Sequence, residues 1–150
     1  MNVWETIFLS FFALFSFSIF IKGLVESYKK NAKGVTILLY WIGIFVWADA
    51  VVFGLFWFLA SLFVLFIFRS WLLFLLIFSV FYLVRSIGET IYWFNQQFSH
   101  LERNPPHTLI GYRLFKDDSL WFVYQMWWQC IIVISVITTI YLTTLWIKTL

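Results

Sequence analysis

The sequence predicts an all-α polytopic membrane protein, a four-transmembrane-helix bundle, and two observations predict it. Hydrophobic residues fill 63% and charged residues 11% of the 150 positions, against roughly 45–50% and about 25% in soluble domains. The apolar residues also gather into runs that match the roughly 20 residues needed to cross a ~30 Å hydrocarbon core. Twenty Phe and ten Trp would overload the interior of a small soluble fold, whose surface is large relative to its volume. In a bilayer the outside is free to be apolar.

Helix one is expected over about residues 4–24, with Phe8, Phe11, Phe12, Phe15, Phe17 and Phe20 pointing all round it, as suits a segment with much lipid contact. The residues before it lack a basic stretch, and no small-residue cleavage pattern follows it, so the run is expected to stay as an anchor. Glu26, Lys29, Lys30, Asn31, Lys33 and Gly34 then mark a loop. Residues 35–68 are almost unbroken in their apolar character, about 50 Å of helix by the rise per residue. Helix two must therefore tilt, project or break. Arg69-Ser70 interrupts the run, so helices two and three should form a tight hairpin, with helix three over 71–97. The segment 98–120, with Asn104-Pro105-Pro106 and Gly111, is the longer loop, and helix four covers about 121–147. One integral membrane domain, 1–150, accommodates all four.

Lysines and arginines near helix ends set orientation, because the cytoplasmic side carries the excess. Lys22, Lys29, Lys30, Lys33, Arg103, Arg113 and Lys116 fall on one side and Arg69 and Lys148 on the other. Loops 25–34 and 98–120 are thus expected in the cytoplasm and both termini outside, in a plasma membrane of bacterial type. The basic residues are scattered rather than clustered with aromatics, so no nucleic-acid partner is expected. Membrane lipids are, together with further copies of the chain or a larger membrane complex.

Within helix three, Arg85, Glu89, Tyr92, Gln96 and Ser99 recur at spacings of four, three, four and three. They share one helical face, and such a face strands polar groups in lipid unless it looks into protein or a wet cavity. Asp49 is expected level with about Gly88, so that Arg85 would have two candidate carboxylates. Gln125 and Gln129 enter from helix four at similar depth. Asp49, Arg85, Glu89, Tyr92, Gln96, Gln125 and Gln129 thus form a candidate polar seam or ion or solute site. Helix two further carries small residues at Gly43, Ala50, Gly54 and Ser61, the pattern that lets helix backbones approach closely. The neighbour is either another helix of this chain or another subunit.

Catalytic residues do not stand out. His100, His107 and Glu102 lack a metal-ligand spacing, Cys130 is the lone cysteine, and no phosphate loop, nucleophile elbow or haem-binding histidine pair occurs. No cofactor or metal is expected. Three function classes follow: a non-enzymatic subunit or homo-oligomer whose seam sets helix register; a small ion, proton or anionic-solute channel or transporter using Asp49, Arg85 and Glu89; and a membrane-embedded enzyme acting on a lipid, with Glu89 or His100 as acid or base and Arg103, Arg113 and Lys116 on a head group.

Overall fold

A computed structural model describes residues 1–99, 103–115 and 117–149. Among the described residues four helices are long and apolar enough to cross a membrane: α1 (Val3–Tyr28), α2 (Trp47–Phe63, continued by a π turn to Phe68), α3 (Trp71–Phe98) and α4 (Ser119–Ile147). The all-α four-helix membrane fold expected from composition and run length is the one adopted. The chain divides into two units, Met1–Ile77 and Phe78–Leu150.

In the first unit α1 opens on a reciprocal cap. The Asn2 side chain accepts from Glu5 N at 2.9 Å, and the Glu5 carboxylate accepts from Asn2 N at 2.7 Å, which satisfies two of the amides that a helix start leaves unpaired. The helix runs antiparallel to α2 at close range. A β-carbon on Gly23 would lie 2.9 Å from Ala50 Cβ, and one on Gly54 would lie 2.9 Å from the backbone nitrogen of Phe20. Ala50 and Ser61 are fully buried. The small residues Ala50 and Gly54 therefore face α1 of this same chain, which answers whose backbone they approach.

Helix two does break, and the expected start at residue 35 is corrected to Trp47. Gly43 is not part of the helical stripe. It sits at φ 76°, in the left-handed region, and closes a 3-10 turn over Ile37–Ile42. No helix continues through such a residue, and hydrophobicity alone does not distinguish the two conformations.

Residues 35–46 instead fold back on themselves. Val35 and Val46 form an antiparallel bridge, Thr36 N donates to Phe45 O, and the Thr36 hydroxyl donates to Ile44 O at 2.8 Å. The segment descends along α1: the Trp41 ring lies 6.0 Å from that of Phe12 and 6.1 Å from that of Phe15. Those rings belong to residues seven and ten positions before Lys22, or about 10–15 Å further along the helix, whereas Lys22 itself lies over the Trp47 ring at 4.8 Å. Non-helical backbone at membrane depth needs internal partners. Here they are supplied: Trp57 Nε1 donates to Ile42 O at 3.1 Å, and Ile42, Ile44 and Trp57 are fully buried.

At the far end, Phe8 meets Trp71 and Phe74 edge-on. Arg69, at φ 48°, ends the π turn with its amide on Val64 O at 2.7 Å. The Ser70 hydroxyl accepts from Leu73 N at the start of α3, so the hairpin turns where the sequence places it.

In the second unit α3 packs on α4. The Ser79 hydroxyl lies 2.8 Å from that of Thr139 and donates to Ser135 O at 3.3 Å. The connecting segment carries a 3-10 turn at Pro106–Thr108 and a positive-φ Gly111.

Candidate functional site: a polar seam in the second unit

The seam begins on α3, where every third or fourth residue is polar. Arg85 Nη2 lies 3.0 Å from Glu89 Oε1, and the two side chains are only 16% and 14% exposed. One turn later Trp93 Nε1 donates to the other carboxylate oxygen, Glu89 Oε2, at 3.2 Å. Arg85, Glu89 and Trp93 thus follow one another at i, i+4 spacing, the geometry that brings side chains together on a helix face. The Trp93 ring packs against Tyr124 of α4 with centroids 4.6 Å apart.

From there the network reaches α4 and the connecting segment. Gln97 Nε2 donates to Gln125 Oε1 at 2.6 Å. Asn104 Nδ2 donates to the Tyr92 hydroxyl, and the Asn104 carbonyl accepts from Trp121 Nε1 at 2.8 Å. The Tyr124 hydroxyl donates to Ile110 O at 3.1 Å. A single asparagine outside the helices therefore bridges the third and the fourth.

Of the residues expected in the seam, Arg85, Glu89, Tyr92 and Gln125 lie in this network. Gln96 is buried at 4% exposure, but Gln97, its neighbour, holds Gln125. Gln129, one turn beyond Gln125, is half-buried. His100, Glu102 and Lys116 lie outside the described residues. Trp93, Gln97, Asn104, Trp121 and Tyr124 were not expected. A buried indole N–H needs an acceptor, and that need is the signal that would have pointed to Trp93 and Trp121.

Asp49 belongs to the first unit and sits in the first turn of α2, not in mid-helix. Its Oδ2 accepts from Phe45 N at 3.0 Å and Val46 N at 3.3 Å. An acid at the third helical position that reaches back to the preceding amides caps the helix and opposes the positive end of its dipole. Among the described residues no group of three or more His, Cys, Asp or Glu is placed to hold a metal ion.

Outside the spans, Asp117 accepts from the Ser119 hydroxyl and, at 3.0 Å, from Ser119 N. These bonds hold its carboxyl below the usual aspartate range. The chain matches no family model, no curated protein and no solved structure.

Proposed function

We propose that the chain is a non-enzymatic membrane subunit, assembled with copies of itself or within a larger membrane complex, and that its polar seam locks α3, α4 and their connection into register. The observation that carries this reading is the set of bonds that the side chains of the seam make to one another. Arg85, Glu89 and Trp93 bond in series, Gln97 bonds Gln125, and Asn104 bonds both Tyr92 and Trp121. Donors and acceptors engaged in this way specify helix packing. A solute site would instead aim them at a ligand.

Large apolar side chains along α4, among them Val133, Ile137 and Ile140, are about 60% exposed and suit lipid or a neighbouring helix. A transport role is the second reading, because an ion pair inside a spanning segment is the usual mark of an ion or proton path.

Native mass measurement after extraction in mild detergent tests the assignment. A defined oligomer or an associated protein supports it, and a lone chain that carries ions across reconstituted vesicles supports the second reading. The excess of Lys and Arg near loops 25–34 and 98–120 supports a cytoplasmic position for both. Cysteines replacing Lys30 and Arg113, with Cys130 replaced by Ser, should then react with a membrane-impermeant thiol reagent only after the cells are opened.

A further inference from the structure

We infer that residues 29–46 form a binding surface for an anionic phospholipid, with the lysines of the rim on the phosphate and the re-entering segment against the acyl chains. Three lysines, Lys29, Lys30 and Lys33, occur within five positions at the end of α1, and all three are exposed. Lys22 marks the same end of the span, with its ammonium over the Trp47 ring, a pairing typical of the level where acyl chains give way to head groups. Two carboxylates belong to the rim as well: Glu26 lies 3.8 Å from Lys29 and accepts from the Asn31 side chain at 2.8 Å, and Asp49 accepts from Phe45 N and Val46 N. Against Lys22, Lys29, Lys30 and Lys33 they leave a net positive rim.

Below the rim the chain turns inward rather than outward. Trp41 reaches Phe12 and Phe15, and the carbonyl of Ile42 is held by Trp57. The inner side chains of the segment, Ile42 and Ile44, are fully buried, whereas Ile37, Leu38 and Trp41 are 65%, 87% and 51% exposed. The segment therefore presents an apolar outer side directly beneath a cationic rim. Each lysine close to a membrane surface adds attraction for acidic lipid, and the apolar side supplies contact for the chains of the same molecule. A soluble anion would use the rim alone. This surface lies in the first unit and holds whichever reading of the seam is correct.

Two measurements on the full chain in bilayers test it. A spin label on Leu38→Cys, with Cys130→Ser, should be relaxed more by oxygen than by a water-soluble nickel chelate. The reverse order would put the segment in water and overturn the proposal. Spin-labelled phosphatidylglycerol should associate with the protein several-fold more than spin-labelled phosphatidylcholine, and inorganic phosphate should not displace it. The preference should collapse towards unity when Lys29, Lys30 and Lys33 are all changed to Gln and persist when all three are changed to Arg. A preference untouched by the Gln changes, or one abolished by inorganic phosphate, would show that the surface is not a lipid site.

Discussion

Trp57 and Ile42 are joined by a hydrogen bond of 3.1 Å from the indole Nε1 to the backbone carbonyl, and both are fully buried. The bond ties the middle of α2 to the deepest turn of the segment that precedes it. In water a bare carbonyl would find a solvent partner; in hydrocarbon it would not.

Trp57→Phe keeps most of the aromatic volume and removes that donor. It should destabilise the protein by about 1–3 kcal/mol, the range for a buried acceptor left unsatisfied. Unfolding of the purified protein in mixed micelles measures this, and stability equal to the parent would mean that the segment does not depend on the bond.

Asp49 should matter for the start of α2. Asp49→Ala removes the acceptor for Phe45 N and Val46 N and is expected to cost about 0.5–2 kcal/mol, as for other helix caps. Asp49→Asn keeps an acceptor and should lose less. Amide exchange at Phe45 and Val46 should accelerate in the Ala variant, and unchanged protection there would contradict the capping role.

These two positions show where the sequence was legible and where it was not. Run length and composition revealed four spans, and Arg69-Ser70 marked a turn correctly, because both signals depend on transfer to lipid rather than on detail. The break in residues 35–46 was hidden, since Ile37, Leu38, Leu39, Trp41 and Ile42 are as apolar as a helix requires. Only the left-handed Gly43 and the acceptor demand of Trp57 distinguish the two conformations, and neither shows in a hydropathy pattern. The same break hid the capping bonds of Asp49, because a position in the first turn of α2 cannot be read from a run that looks helical from residue 35. In the seam, periodicity identified the face of α3 but not its partner in the connecting segment, because Asn104 carries no period.

The close approach of α1 and α2 makes Gly54 unequal to Gly88. Gly54→Ala would drive a methyl to 2.9 Å from the Phe20 backbone, and overpacking of this kind costs typically 1–3 kcal/mol. Gly88→Ala meets nothing within 4 Å and should be neutral or slightly favourable. Thermal unfolding in detergent separates the two, and equal effects would contradict the packing described.

Asp117 supplies a pH signature. Its folded carboxyl titrates below the 3.8 of an unperturbed aspartate because it accepts from Ser119. The contribution is therefore complete above that value and is lost as pH falls through the lowered one. The Ser119 amide shift, followed by NMR during acid titration, should show a midpoint below 3.8. A midpoint at or above it would mean that the two residues do not interact in solution.

The most direct measurement compares Arg85→Met with Arg85→Met combined with Glu89→Gln. If the pair is a packing element, the single change strands a largely buried carboxylate and should cost about 3–5 kcal/mol. The double change removes both charges, keeps an acceptor for Trp93, and should recover most of that loss in detergent unfolding. A double variant no more stable than the single one would contradict the account of the seam as a packing lock.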